Sequence, residues 1–345
     1  MPTVRPMTEE DAPAWDAFVD AHAEGTFFHR AAWSDVLRRA FRHTPHYLLA
    51  EQDGAVAGVL PLGQVKTALF GHSLISVPFC VYGGPLAADP AVADALLGEA
   101  VALQKRLGAG SLELRFRTKP VLAEADWPGR SDLYVTFRKA MSADDDENLK
   151  AIPRKQRAVV RKGIEAGLTV SVGTDTDVLH RIYAESVRNL GTPVFSQRYF
   201  RVLAEAFAGR MDVLTVLDGG TPIASVMNFY DRGEVLPYYG GGTAAARTRF
   251  ANDFMYWEVM KRAASRGCTM FDFGRSKTGT GSFSFKKNWG FTPEPLHHHF
   301  HLLPGHAIPD HNPLNPKYRL MINTWKRLPL PVANFVGPHI VRGVG

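Results

Sequence analysis

Cysteine is scarce in this chain: Cys80 and Cys268 are the only two among 345 residues, far apart and in no CxxC or Cys/His spacing. Neither a disulfide framework nor a zinc site is indicated, and a reducing compartment fits. The N-terminal stretch MPTVRPMTEEDAPAWDAF turns acidic at Glu9 and has no apolar h-region, which argues against a secretory leader and for the cytosol. No G-x-S-x-G is present and neither cysteine sits beside a histidine partner, so a nucleophile elbow is excluded and direct attack without a covalent intermediate is expected. The most apolar stretch, Ala68 to Leu86, is interrupted by Gly71, Pro78, Gly83, Gly84 and Pro85, which predicts two buried strands instead of a membrane span. From His311 to Gly345 there is no acidic residue to balance Lys317, Arg319, Lys326, Arg327 and Arg342.

The remaining composition, 45% hydrophobic and 21% charged, is that of an ordinary folded protein. Cores stop growing near roughly 250 residues, so the length predicts two domains. The net charge of +6 is concentrated toward the tail, which favours an anionic neighbour.

The same order of signals occurs twice. YLLAEQDGAVAGVLPLGQV and DVLTVLDGGTPIASVMNFY each read as a β-hairpin about an Asp-Gly turn. Tyr82-Gly83-Gly84-Pro85 and Tyr239-Gly240-Gly241-Gly242 follow at an offset of 157 positions. Amphipathic helices, about Asp89 to Leu107 and Arg247 to Arg266, then end at Gly108 and Gly267, as a helix C-cap requires. Five residues past each glycine an acid lies in an apolar strand, Glu113 in SLELRF and Asp272 in TMFDFG, at an offset of 159. The expectation is a tandem duplication, each half running helix, helix, hairpin, strand, helix, strand. This is an α/β (α+β) arrangement with mixed, mostly antiparallel sheets. Residues 1–140 make a first domain, 141–303 a second, and 304–345 a Pro-rich basic tail, with the run Asp144-Asp145-Asp146-Glu147 starting a helix at the boundary.

IPRKQRAVVRKGIEAGL at 152–168, PYYGGGTAAAR at 237–247 and NDFMYWEVMKRAASRGCTMFDFGRSKTGTGSFSFKKNWGF at 252–291 resemble FemAB-like proteins of the GNAT superfamily, of the type associated with the exosortase/PEP-CTERM system. These are related to the Fem aminoacyltransferases that build peptidoglycan bridges. The resemblance covers most of the second half; the first half is similar only in layout. It implies tandem GNAT-type domains and acyl or aminoacyl transfer to an amine of a cell-envelope or exopolysaccharide precursor, small or lipid-linked. It also implies aminoacyl-tRNA or an acyl-CoA or acyl carrier as donor, with no tightly bound cofactor. Enzymes that use acetyl-CoA hold its pyrophosphate in a Gly-rich turn opening the central helix. Here that turn is Arg247-Thr248-Arg249-Phe250-Ala251, without glycine, and Arg247 and Arg249 would have to meet phosphate with their side chains.

The densest polar chemistry is FGRSKTGTGSFSFKKNW, just past the strand ending at Asp272, where α/β sheets bind ligands. Arg275, Ser276, Lys277, Gly279, Gly281 and Asn288 are expected to hold substrate there, against the alternative of a solvated surface loop. The resemblance places the functionally important lysine of the family at the Lys286-Lys287 pair, whose side chains point oppositely if the segment is extended. The first half has neither the glycines nor the lysine pair after Glu113, so a single site is expected, with the first domain non-catalytic. Asp272 would orient a cation or accept the amine proton, or else tie strands together. Tyr238 and Tyr239 alternate, one to the core and one to the cleft. Arg154, Arg157 and Arg161 share a helix face, either solvated or in contact with phosphate of tRNA, a sugar nucleotide or a lipid carrier. His297, His299 and His301 share a strand side and read as an exposed face, not a metal site. Prolines 329, 331 and 338 preclude one long helix in the tail, leaving peripheral membrane contact or packing back on the protein. Two rival functions accompany the leading one: an ordinary acyl-CoA or acyl-carrier N-acyltransferase, and a catalytically silent GNAT-fold binding module.

Overall fold

The computed structural model describes residues 1–67, 70–123, 125–309 and 316–343. It divides into two compact units, Met1–Leu133 with Pro295–His311 and Arg342–Gly345, and Tyr134–Glu294 with Asn312–Val341.

After a strand, Thr3–Pro6, and a helix, Ala12–Ala21, the first unit forms the hairpin of β1 (Leu48–Gln52) and β2 (Ala55–Leu60). Its turn residues Asp53 and Gly54 sit at φ of 53° and 79°, the left-handed pair a tight hairpin needs. β3 (Gly71–Ser76), α1 (Pro90–Leu107) and β4 (Ser111–Phe116) follow. The Asp89 side chain accepts the Val92 N–H at the start of α1, and Gly108 at φ 65° ends it. The apolar stretch thus supplies one full strand and a two-residue strand, Leu86–Ala87, in place of two strands, because residues 77–85 are irregular; positions 68 and 69 lie outside the described residues.

The second unit contains β5 (Tyr134–Ala140), α2 (Arg154–Glu165), β6 (Thr169–Gly173), α3 (Thr176–Leu190), α4 (Gln197–Ala206), β7 (Met211–Asp218), β8 (Thr221–Asp231), β9 (Glu234–Gly242), α5 (Ala251–Ser265), β10 (Met270–Asp272) and α6 (Gly281–Asn288). As the acidic run predicts, Asp144 caps a short helix, Asp145–Ala151, by accepting the Glu147 N–H. The helix expected from Arg247 is broken: Ala244–Thr248 is a separate turn of helix, and Phe250 at φ 55° precedes α5. Gly241 and Gly242 let α3 and α5 reach the backbone of β9, since a Cβ at these positions would lie 2.7 Å from Ser186 Cβ and 2.5 Å from Asn252 Oδ1.

In the second unit's sheet the order is β6-β7-β8-β9-β10-β5, and only β9 and β10 are parallel. The first unit has a similar parallel pair, β3 and β4. Each pair leaves an outer edge of unpaired backbone groups, and in both units a strand from the other half of the sequence closes it. β5 pairs with β10, and β11 (His297–Leu302) pairs with β4 from His297 opposite Phe116 to Leu302 opposite Ser111. The compact units accordingly divide at 133/134 and 294/295.

The tail forms α7 (Pro316–Trp325) and α8 (Leu330–Val341), broken around Pro329, with Pro338 inside α8. His311 lies outside the described residues. Among the described residues no helix is long and apolar enough to cross a membrane.

A fragment of residues 141–345 keeps β10 but lacks β5, and it carries β11 without β4. It should express as insoluble material, whereas the full chain stays in the soluble fraction. A soluble, monomeric fragment on gel filtration would show that the exchanged strands are dispensable.

Candidate functional site

β9 and β10 pair only through Glu234 with Met270 and Val235 with Phe271. Beyond Val235 they separate, and among the described residues no strand occupies that side of β9 through Gly242. Past that point run the Tyr-Gly-Gly-Gly end of β9 and residues 273–280, which lead from β10 into α6. Gly274 at φ 66° turns the chain, and Thr280 caps α6 by accepting the Phe283 N–H.

Lys286 and Lys287 sit on α6, not on an extended segment, and a helical step of about 100° separates their side chains. Lys286 is 9% exposed, and its Nζ donates to the carbonyls of Phe273 at 2.7 Å, Gly274 at 2.9 Å and Arg275 at 3.1 Å. Burial lowers its pKa to about 7, opposed by the charge of Asp272. Three carbonyls match the three donors of an ammonium, so hydrogen bonding favours the form that burial penalises. This geometry makes Lys286 the fastening of the post-β10 loop. Lys287 is exposed, with Nζ 5.7 Å from the Phe283 ring centre.

Asp272 is 1% exposed; it accepts the Gly274 N–H at 2.7 Å and lies 3.5 Å from Arg138, which also pairs with Glu234. It has no open path to an incoming amine, and its partner comes from β5. In the first unit Glu113 is bound in a comparable way, 2.9 Å from Arg115 and 2.8 Å from His298. Burial acts to raise the Glu113 pKa, but Arg115 and His298 outweigh it and hold the carboxyl well below the usual range. The strand-tying role fits both acids.

Of the two tyrosines, Tyr239 faces the core. Its hydroxyl bonds to that of Tyr199 among Tyr183, Phe195 and Phe200, and burial raises its pKa well above normal. A proton-transfer role for Tyr239 does not fit this surrounding. Tyr238 is half-buried. Arg275 and Lys277 lie over the Tyr134 ring at 4.9 Å and 5.1 Å. Ser276 is buried and its hydroxyl has no hydrogen-bond partner among the described residues. Gly279, Gly281 and Asn288 are exposed.

Arg249 is engaged with Asp218 at 2.9 Å and the Ala166 carbonyl at 2.6 Å, while Arg247 is exposed. On α2, Arg154 and Arg161 are exposed and Arg157 half-buried. His297, His299 and His301 are half-buried on one side of β11, less open than a solvated face. His298 is buried, and the Nδ1 atoms of His297, His298, His299 and His301 go separately to Ser131, Glu113, the Trp127 carbonyl and Gln104. Among the described residues no group of His, Cys, Asp or Glu is arranged to hold a metal.

Sequence reasoning missed Tyr134 and Arg138, because nothing in the linear sequence marks β5 as a neighbour of β10. It also missed Asp253 on α5. This carboxylate accepts from Trp289 at 3.0 Å and from Gln156, and burial raises its pKa while those bonds oppose it.

Comparison with known proteins agrees with this architecture. Residues 150–287 match the family model described as an acetyltransferase (GNAT) domain. No curated protein matches the sequence. Among solved structures, FemX aligns at 18% identity over 87% of this chain and 97% of its own, with a TM-score of 0.67. The C-terminal domain of a putative lysylphosphatidylglycerol synthetase from Agrobacterium fabrum aligns at 14% identity over 85% and 92%, TM-score 0.57. A tandem GNAT protein from the clavulanic acid pathway aligns at 12% over 87% and 98%, TM-score 0.55. The chain has the GNAT fold with a GNAT acetyltransferase domain across residues 150–287, and its reaction class is acyl transfer.

Proposed function

We propose that the protein transfers an aminoacyl or acyl group to an amine of a cell-envelope or exopolysaccharide precursor, with aminoacyl-tRNA as the donor in preference to coenzyme A. The reading is supported above all by the turn between β9 and α5, where acetyl-CoA enzymes carry glycines: here it is the short helix Ala244–Thr248, followed by Arg249 bound to Asp218. The likeness to FemX is one of fold, the fold that the resemblance to the Fem aminoacyltransferases implies.

In this scheme the amine nitrogen attacks the donor carbonyl carbon, the ester C–O bond to the carrier breaks, and the nitrogen loses a proton. Backbone N–H groups of the glycines at the end of β9, on the side that no described strand pairs with, hold the donor carbonyl and its developing charge. Arg275 and Lys277, set over Tyr134, meet phosphate of the acceptor or carrier. Lys286 is a positioning residue: its bonds to three successive carbonyls fix where Arg275 begins. Arg154, Arg157, Arg161 and Arg247 remain surface cations for a tRNA or lipid-linked phosphate backbone.

Incubation with labelled aminoacyl-tRNA or labelled acetyl-CoA, each with a peptidoglycan precursor bearing a free amine, should yield amide product from the tRNA only. Label arriving only from acetyl-CoA would transfer the donor role to coenzyme A.

Lys286→Met should lower turnover by about a hundredfold, the scale of a misplaced reacting group, while Lys287→Ala leaves it within a few-fold. A Lys286→Met enzyme with full turnover would remove the loop from the site.

The same residue gives a stability signature. Its folded pKa near 7 lies below the ordinary 10.5, so between these values the unfolded chain holds a proton the folded chain lacks. Stability contributed by this position therefore rises with pH across that window. The urea midpoint of the wild type relative to Lys286→Met should increase from pH 7 to pH 10, and a constant difference would show that Lys286 titrates normally.

A further inference from the structure

The second unit has an apolar, basic corner that the transfer reaction does not use. Among the described residues eight large hydrophobic side chains are exposed, and four of them lie on α3, α7 and α8: Leu190 at 64% exposure, Met321 at 52%, Val332 at 44% and Phe335 at 74%. Leu190 ends α3, and the next residue, Gly191, runs against α7 so closely that a Cβ there would lie 2.5 Å from Ile322 Cγ2 and 3.1 Å from Lys326 Cε. Val332, Phe335 and His339 recur at i, i+3 and i+7 on one face of α8, with the Phe335 and His339 rings 5.8 Å apart.

The opposite side of the same helices is anchored. Trp325 and Ala333 are buried, Leu330 packs on the Ala184, Val187 and Val194 cluster, and Gly337 fits against the Val194 backbone. The exposed apolar side chains are therefore presented by a packed support. Lys326 and Arg327 are exposed in the link between the two helices. The sequence from His311 to Gly345 contains no acidic residue.

We infer that this corner, formed by the end of α3 with α7 and α8, is a docking surface for an anionic lipid bilayer. Apolar side chains standing above a cationic link match a leaflet, where hydrocarbon lies beneath phosphate. A second copy of the chain fits less well, because a two-fold contact through this corner would bring Lys326 and Arg327 against their own like charges without an acid in α7, α8 or their link to offset them. The inference is independent of the transfer reaction, since its test uses neither donor nor acceptor.

The full chain should be sedimented with vesicles of phosphatidylcholine alone and of phosphatidylcholine mixed with phosphatidylglycerol, at low and high salt. Binding is expected only with the anionic vesicles and should weaken with salt, which screens surface charge within about 10 Å at 0.1 M. Replacing Lys326 and Arg327 together by alanine should weaken it roughly thirtyfold, each cation near a leaflet being worth about fivefold. Phe335→Ser with Val332→Ser, at exposed positions that leave the fold intact by circular dichroism, should reduce binding further. Failure to sediment with either vesicle would overturn the proposal. So would binding that survives both double variants, or a lipid-free dimer that Phe335→Ser dissolves.

Discussion

A parallel strand pair joined at only one end leaves backbone donors and acceptors that must be satisfied or put to use, and the second unit is organised around that constraint. β9 and β10 share two residue pairs and then separate. The outer side of β10 is closed by β5, and among the described residues no strand pairs with that side of β9 from Leu236 to Gly242. Closing one edge and leaving the other free creates a stable sheet with an extended, hydrogen-bonding margin at which a carbonyl can be held. The first unit uses β11 against β4 in the same way.

The two adjacent lysines show how a helix separates roles that one dimension merges. On α6, Lys286 turns inward to the carbonyls of Phe273, Gly274 and Arg275, and Lys287 turns to solvent. A buried ammonium is costly unless its donors are all accepted, and three consecutive carbonyls accept them. The loop that follows β10 is thereby tied to the helix that follows it, and Arg275 and Lys277 are left over the Tyr134 ring.

The buried acids point to what the two halves still share. Asp272 with Arg138 and Glu113 with Arg115 and His298 occupy matching strands, and each carboxylate is neutralised within its own unit. A charge buried without a partner would destabilise the fold by several kcal/mol. The acid at this position is therefore accounted for by packing, and the glycine-rich loop that follows Asp272 has no counterpart after Glu113.

The sequence by itself determined the local pieces: the hairpin turn at Asp53-Gly54, a second hairpin about Asp218-Gly219 whose turn falls one residue later at Gly219-Gly220, the Asp89 and Asp144 caps, the glycines ending the long helices, and through their repetition the doubled layout. These signals act within a few residues, so composition and spacing carry them. Only the tertiary structure decided that β5 and β11 are exchanged between the halves, that Tyr239 joins Tyr199 in the core, that Arg249 is held by Asp218, and that Lys286 binds carbonyls while Lys287 does not. Each of these depends on a partner many positions away in the chain or on which side of an element faces inward. A linear pattern states which groups are present, but the partner of a buried polar group is set by which elements pack together, and that choice is made by the whole core at once.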